Sequence, residues 1–468
     1  MDQKTEKKPN ILIILTDQQN IDSIAAYRNF FSHEAYGCHW LKTPNIDKMV
    51  DAGYSFMESH SVNPVSCPAR SCLMTGRYSS ETGVTYNNIG IDESVPNMGQ
   101  WFEEHSDYDR VYCGKWHAGG KWNYPDVEGP RKIPGFETLP AGLFGTGDYN
   151  DFQVSGAVRG YIKNHDYTKP FLVVAGLMNP HDICYWTGGL HGDKVVPDHD
   201  LFQLGENLPP LPPNFEVDFE DPDPRGQVKN RSEIEWRNYV HDYLRMVEKL
   251  DQDLGRMVEA VEGRKDQTLV VLTADHGEGA GRHKRVQKWH PFEQSVKVPL
   301  VFYLPGTVME GVQDTKNIVS GVNLMPTVCD YAGIPKPQLG RGESLRNTLE
   351  GKADQPAFET AFMEFKHTAR IVRHRDFKYV KYYEFSRVPD KPFVGKKDGK
   401  PVKFSQGAGR DKYADTGKRL LFNIREDPWE MKDLSKDPEY ASKMEEMDDL
   451  LVEKFESVIE PGTHFDRN

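Results

Sequence analysis

Four short apolar runs, each breaking on polar residues, set the strongest limit on the architecture of this chain. Ile11-Leu12-Ile13-Ile14-Leu15 runs into Thr16-Asp17-Gln18, and Arg110-Val111-Tyr112-Cys113 into Gly114-Lys115-Trp116-His117. Phe171-Leu172-Val173-Val174-Ala175 leads through Gly176 to Met178-Asn179-Pro180-His181-Asp182. Leu269-Val270-Val271-Leu272 runs into Thr273-Ala274-Asp275-His276-Gly277. Continuous apolar runs of this length read as parallel strands buried on both faces. In open α/β sheets, ligands bind beyond the carboxyl ends of the strands. The four tips are therefore expected to converge on one crevice, with Asp17, Lys115, His117, His181 and Asp275 brought together.

Helical patterns lie between the runs. Thr43-Pro44-Asn45 reads as an N-cap with proline at the first helical position. Leu244, Val247, Leu250, Leu254, Met257 and Val261 recur at helical spacing just ahead of the Leu269 run. Residues 187–232, rich in Pro, Gly and Asp, read as a long surface excursion of the kind that shapes substrate pockets. Beyond about residue 355 the composition shifts. Arg370–Arg373 and Phe377–Tyr382 read as antiparallel strands joined by His374-Arg375-Asp376, residues 390–418 as a Lys/Gly-rich loop, and Leu420–Ile424 as a further strand. Met444, Met447, Leu450, Leu451, Phe455 and Val458 mark a last amphipathic helix. The expected organisation is an α/β domain over 1–355 and a smaller antiparallel sheet plus helix over 356–468, a length sufficient for a large core.

With 71 acidic against 58 basic residues the net charge is −13, which speaks against a nucleic-acid partner. An anionic substrate has to be captured by a local basic pocket. The six cysteines (Cys38, Cys67, Cys72, Cys113, Cys184, Cys329) contain no CxxC, so neither a zinc ribbon nor a disulfide scaffold is indicated. The run Ile11–Leu15 is too short to span a membrane. The polar start Met1–Asn10 has no signal-peptide core, so the chain as given reads as soluble.

The stretch Ser66-Cys67-Pro68-Ala69-Arg70-Ser71-Cys72-Leu73-Met74-Thr75-Gly76-Arg77 carries the chemistry. Pro68 suits the first turn of a helix over Ala69–Met74, which puts Ser66 just ahead of the helix N-terminus. Free N–H groups and the helix dipole there favour an anion. Arg70, one turn in, is spaced to point back at the same spot with a fork that fits an oxyanion. The spacing describes an anion site with a nucleophile in it.

This stretch resembles the signature of type I sulfatases: Cys or Ser, any residue, Pro, Ser or Ala, Arg, then Thr-Gly. The resemblance places Ser66 at the residue oxidised to formylglycine, whose hydrate expels sulfate by elimination where a plain serine would remain sulfated. A serine at this position resembles the type matured by an oxygen-independent radical enzyme. Asp17, Gln18, Asp275 and His276 fall at the family's metal positions, so the resemblance implies one divalent ion, calcium, shared with residue 66. Gln18 and His276 replace the commoner Asp and Asn. His276 is an unusual calcium ligand, and bonding to the substrate oxygen is its alternative. Gly114-Lys115-Trp116-His117 and Asn179-Pro180-His181 resemble further family elements. They imply that Lys115 steadies the hydrate, His117 is the base that collapses the sulfated intermediate, and His181 protonates the leaving oxygen. Lys288, in Gln287-Lys288-Trp289-His290-Pro291-Phe292-Glu293, matches a later lysine that holds sulfate. The ion with Arg70, Lys115 and Lys288 would stabilise charge developing on the alkoxide and sulfuryl oxygens. Thr43-Pro44-Asn45-Ile46-Asp47 and Asp427-Pro428-Trp429-Glu430-Met431-Lys432-Asp433-Leu434 extend the likeness to both ends. The implied fold is alkaline-phosphatase-like: a large mixed sheet between helices, with a small C-terminal α+β domain.

Two basic clusters, Arg282-His283-Lys284-Arg285 and Arg370, Arg373, His374, Arg375 with Lys378, read as solvated strand or loop faces. One facing the crevice would suit a uronate or a further sulfate. The expected substrate is a carbohydrate sulfate such as a glycosaminoglycan fragment, taken at a chain end, and the expected compartment is periplasmic or secreted. The rivals are a phosphonate or phosphate ester hydrolase of the same superfamily, and a glycan-binding protein in which Ser66 stays unmodified.

Overall fold

The computed structural model describes residues 8–27, 30–31, 40–87, 89–92, 94–118, 133–142, 146–186, 208–219, 226–228, 231–353, 357–365, 368–389, 393–397, 400–404 and 409–458, without the side chains of 384–414 and 455–458. Most of the excursion at 187–232 lies outside the described residues, as does Cys38.

The strands of the first sheet are β1 (Asn10–Asp17), β2 (Tyr54–His60), β3 (Asp109–Gly114), β4 (Glu137–Leu139), β5 (Phe171–Pro180), β6 (Thr268–Ala274), β7 (Leu300–Tyr303) and β8 (Val312–Ser320). They form one sheet in the order β4-β3-β5-β1-β6-β7-β2-β8. β7 alone runs antiparallel to its neighbours, so the sheet is mixed. Ile11 registers with Leu172 on one side and Leu269 on the other, so the four apolar runs sit at the sheet's middle and share one direction.

Every residue of β1 is buried, and its side chains alternate between two cores. Ile11, Ile13 and Leu15 join Phe56, Leu73 and Met325 on one face, while Leu12 and Ile14 join Met49, Leu250 and Leu254 on the other. An apolar layer on both faces explains why these runs show no polar alternation. Leu250, Leu254, Met257 and Val261 come from the helix Glu233–Val261, whose earlier turns bury Tyr243, Leu244 and Val247 elsewhere.

The helix Pro44–Asp51 starts where the sequence places it, but Thr43 does not cap it. The Thr43 hydroxyl donates to Asp47 Oδ1 at 2.8 Å. The cap is supplied by Asp251, which accepts from the N–H groups of Asn45 at 3.0 Å and Ile46 at 2.8 Å, and from the Asn45 amide at 2.8 Å. A carboxylate from a distant helix thus replaces the local hydroxyl. Asp251→Ala is expected to cost about 1–3 kcal/mol, because it strands the buried Ile46 N–H and two half-buried Asn45 donors. A urea midpoint unchanged from wild type would refute that assignment.

The second sheet has the order β14-β11-β10-β9, all antiparallel, from β9 (Thr360–Phe365), β10 (Ala369–His374), β11 (Phe377–Pro389) and β14 (Gly409–Asn423). The expected loop over 390–418 is corrected here. It contains the hairpin β12 (Phe393–Lys397) and β13 (Lys400–Phe404), and then the first half of β14. The Asp398-Gly399 pair between two strand-forming runs is a hairpin signal that the Lys-rich composition obscured. The helix Ala441–Val458 places Met447 and Leu451 against Val372 and Tyr379 of this sheet, with Val62 and Cys72 of the large unit in the same core. Val65 and Phe292 join Met363 and Ile371 in a neighbouring core.

Candidate active site

Parallel direction puts the carboxyl ends of β3, β5, β1 and β6 side by side, and with them Lys115, His181, Asp17 and Asp275. Glycines permit the crowding. A Cβ on Gly114, at φ +90°, would lie 2.1 Å from the Gly176 carbonyl oxygen, and one on Gly176 would lie 2.3 Å from that of Lys115. Gly277 is equally confined, with the Gln294 carbonyl oxygen 2.0 Å from a would-be Cβ.

The helix carrying the serine motif spans Ser66–Thr75, so it begins earlier than expected, with Val65 before it. Pro68 stands at its third position, where a missing N–H is still no loss because the first four helical N–H groups have no partner within the helix. Ser66 is fully buried, 2.8 Å from His276 Nε2 and 3.0 Å from Lys288 Nζ. His276 Nδ1 lies 2.9 Å from the Gly277 carbonyl oxygen and must donate to it. The lone pair is therefore on Nε2, facing Ser66.

Arg70 is fully buried, and its fork does not stand open toward an oxyanion. Nε donates to Asp275 Oδ2 at 2.8 Å, Nη2 to Asp17 Oδ2 at 3.0 Å, and Nη1 to the Lys115 carbonyl at 2.9 Å. It ties three strand tips together. Lys115 adds a second cation, 2.7 Å from Asp17 Oδ2. Burial opposes ionisation of Asp17, but Lys115, His181 and Arg70 hold its carboxyl well below the ordinary value. Burial, and then Asp17 itself, push Asp275 up to about 6.

Burial lowers Lys115, with Asp17 pulling the other way. Burial lowers His117 and His181 far below the ordinary imidazole value, and Lys115 is the next cause for both. Both rings are therefore neutral in the free site, and among the described residues neither buried Nδ1 has a hydrogen-bond partner.

The donors fit a divalent ion. Asp17, Asp275 and His276 present ligand atoms within 4.8 Å of one another, and Asp17 Oδ1 is buried without a hydrogen-bond partner among the described residues. Two carboxylates that repel each other, beside a neutral imidazole lone pair, are what such an ion would join. Gln18 is adjacent in the left-handed region at φ 69°, a conformation uncommon outside glycine, and its backbone N–H donates to Asp275 Oδ1 at 3.0 Å. Its Oε1 accepts from Lys288 Nζ at 2.9 Å.

All the site residues singled out from sequence thus meet at one place. Sequence reasoning missed Glu278, a fully buried carboxylate just past His276. It accepts from Gln18 Nε2 and from the Gln287 N–H, both at 2.5 Å, and from the Tyr239 hydroxyl at 2.8 Å. An acidic residue directly after Asp-His-Gly was the available signal.

The basic clusters require a correction. Apart from Arg375, His374 and Lys284 they are buried, most of them in ion pairs. Lys378 lies 2.7 Å from Glu430 and 3.0 Å from Glu293, Arg373 lies 3.4 Å from Glu58, and Arg370 lies 3.4 Å from Glu364. Arg282 pairs with Asp22. Each of these cations is matched by a carboxylate from another segment, which spacing along one strand does not reveal. For the same reason Glu58, His60 and Glu293, which also cluster, do not read as a metal centre: Lys297, Arg373 and Lys378 already neutralise them.

A family model described as Sulfatase matches residues 9–334, and one described as N-sulphoglucosamine sulphohydrolase, C-terminal, matches residues 281–391. The chain is 29% identical to a Delta 4,5-hexuronate-2-O-sulfatase of Bacteroides thetaiotaomicron, over 96% of this chain and 89% of that one. The fold is similar to that of a solved 2-O GAG sulfatase, with a TM-score of 0.73 at 24% identity, covering 97% of this chain and 93% of that one. It is also similar to a phosphonate monoester hydrolase of Agrobacterium radiobacter, with a TM-score of 0.68 at 19% identity over 96% of each chain.

Proposed function

The chain belongs to the sulfatase family and is a sulfuric ester hydrolase, and we propose that it removes a sulfate monoester from a uronate-bearing carbohydrate such as a glycosaminoglycan fragment, acting through formylglycine at position 66. The observation that carries this reading is the pair of contacts from Ser66 Oγ, to Lys288 Nζ at 3.0 Å and to His276 Nε2 at 2.8 Å, beside two buried carboxylates. A buried hydroxyl among cations and metal-type ligands fits a sulfate-binding nucleophile.

Conversion of Ser66 takes two hydrogens from its CH2OH group, and a radical-type maturing enzyme is the proposed oxidant. The hydrated aldehyde supplies the nucleophilic hydroxyl. Calcium, held by Asp17, Gln18, Asp275 and His276, would supply positive charge beside residue 66. The chain's own residues do the rest. Lys288 holds a sulfuryl oxygen and cancels charge as it develops. Lys115 steadies the hydrate, and its cation is fixed by Asp17 at 2.7 Å. His117, neutral in the free site, accepts the proton whose removal releases sulfate. His181 lies on the strand-tip side, where the leaving oxygen departs. Its imidazole is lowered by burial, Lys115 and Lys288, so a bound anion, by neutralising those lysines, favours its protonation and its service as the acid. Arg70 acts through the carboxylates it holds.

A sugar ring is supported by the rim. Asn87 accepts from the Cys67 N–H at 3.1 Å, which anchors the segment bearing Tyr86 beside the nucleophile. Trp289 follows Lys288 directly, at φ 87°, and its ring lies 5.8 Å from that of Tyr86. Tyr86 is 37% exposed. Aromatic faces at a site's mouth suit the apolar face of a sugar. The relative's 2-O-sulfated hexuronate names the first substrate to try. Among the described residues no helix is long and apolar enough to cross a membrane. The periplasm or the exterior, where polymer fragments are met, is the proposed compartment.

The test combines mass spectrometry with rates. The tryptic peptide carrying residue 66 is expected to be two hydrogens lighter in active protein. Converted protein is expected to favour a 2-O-sulfated unsaturated uronate disaccharide over a 6-O-sulfated glucosamine and over matched phosphate and phosphonate esters. A dominant phosphonate or phosphate rate would overturn the choice of ester. A residue-66 peptide left unconverted in protein made beside the maturing enzyme would favour the glycan-binding rival, and turnover by wholly unconverted protein would overturn the formylglycine mechanism.

A further inference from the structure

Gln18 stands between the nucleophile's lysine and a buried carboxylate, and its amide must face the correct way. Lys288 Nζ, three N–H donors with no acceptor, lies 2.9 Å from one end of that amide and so requires oxygen there. Glu278 Oε2 lies 2.5 Å from the other end and, as a carboxylate, requires NH2. The other Glu278 oxygen takes the backbone N–H of Gln287, the residue before Lys288, at 2.5 Å. The contacts close a ring from Glu278 to Gln18, to the Lys288 ammonium, along the chain to Gln287, and back to Glu278. The ring joins the residue just past β1 to the 285–293 segment, and both its ends are fixed by one carboxylate. Glu278 is itself pinned from outside by the Tyr239 hydroxyl at 2.8 Å, by the Ala280 N–H at 3.1 Å, and by Asn20 Oδ1, which accepts its N–H at 2.6 Å. Every member is fully buried except Gln287 and Lys288, which are 6% and 3% exposed.

We propose that Glu278 is a positioning residue for catalysis: by fixing the Gln18 amide orientation and the backbone of Gln287, it aims the Lys288 ammonium at residue 66. This rests on the reading of Lys288 as the sulfate-holding lysine. Glu278 touches neither substrate nor the reacting atoms. A carboxylate is required because only a group that accepts at both oxygens can receive the Gln18 amide and the Gln287 N–H together. Glu278→Gln turns an NH2 toward one of these donors. The Gln18 amide then flips, its NH2 confronts Lys288, and the ammonium moves off line.

The test is a polarity swap. Glu278→Gln is isosteric and is expected to lower kcat about 10–100-fold, the scale of a displacement near 1 Å at a reacting centre, with a smaller change in KM. Adding Gln18→Glu in the same chain restores the complementarity: the carboxylate then stands on the β1 side, where it accepts from Lys288 and from the amide introduced opposite it. The double variant is expected to recover most of the loss. Gln18→Glu alone sets two carboxylates face to face and is expected to be the poorest of the three. If E278Q does not fold, the same reading comes from Q18E and its relief by E278Q. Affinity for inorganic sulfate, measured by calorimetry, should fall and recover in parallel, and the formylglycine content is measured for each variant.

E278Q with kcat and sulfate affinity within about twofold of wild type would overturn the proposal, as would a double variant no better than the worse single. If converted wild-type protein turns over no sulfate ester, the functional reading fails. The sulfate-affinity series would still decide whether Glu278 aims Lys288.

Discussion

Ser66→Ala is expected to abolish sulfate-ester turnover and to leave the fold standing. The hydroxyl makes two contacts, at 2.8 Å to His276 and 3.0 Å to Lys288. After its removal Lys288 still donates to Gln18 at 2.9 Å, and His276 still donates through Nδ1 to Gly277 at 2.9 Å. One buried lone pair loses its partner, which costs about 1–3 kcal/mol. The chemical loss is far larger. Alanine carries no oxygen to oxidise, so neither the nucleophile nor the group that releases sulfate can form. A fall in kcat/KM of at least about 10⁴-fold is expected, the scale on which deleting a covalent nucleophile acts. Protein with serine still unconverted should behave similarly. Rates on a sulfated disaccharide, normalised to the converted fraction, provide the check. Residual turnover within about tenfold of wild type would show that the oxygen of residue 66 is not the nucleophile.

Arg70→Met is expected to strike stability and activity together. Its guanidinium lies within 3.0 Å of both Asp17 and Asp275, and all three residues are buried. Deleting one member of a buried ionic cluster leaves charge uncompensated and typically costs about 3–5 kcal/mol. Lys115, the remaining cation on Asp17, does not reach Asp275 in any ion pair among the described residues. Arg70→Lys should recover only part of the loss, because an ammonium cannot fork between two carboxylates and the Lys115 carbonyl. Chemical denaturation with a fixed m-value reads the stability, and initial rates read the activity. Should R70M unfold within about 1 kcal/mol of wild type, the buried charges must be balanced by another route.

Much of this was legible in residue order. The four apolar runs are β1, β3, β5 and β6, because burial on both faces leaves an uninterrupted signature that local spacing carries. Their polar ends come together with Ser66 and Lys288, which is the grouping the proposed site is built on. Where reading along the chain fell short, the cause was distance. Thr43 reads as a cap from its neighbours, yet Asp251 caps the helix from 206 positions beyond Asn45. Arg70 reads as an oxyanion fork from its spacing to Ser66, yet it takes Asp275, 205 positions on. The basic residues at 370–378 read as solvated because their carboxylates, among them Glu58, Glu293 and Glu430, come from other segments.

Residue order alone specified the strand layer, the direction in which its tips point and the chemical identity of the groups there, since periodicity, turn residues and motif spacing are local properties. Which charges are spent on one another, and which remain for a substrate, was settled by the packed chain. Lys288 meets Gln18 across 270 positions, and Glu278 orients that amide across 260. Such partners are chosen by how the sheet is ordered and by the need to satisfy every buried donor. Neither condition is written in any one stretch of chain.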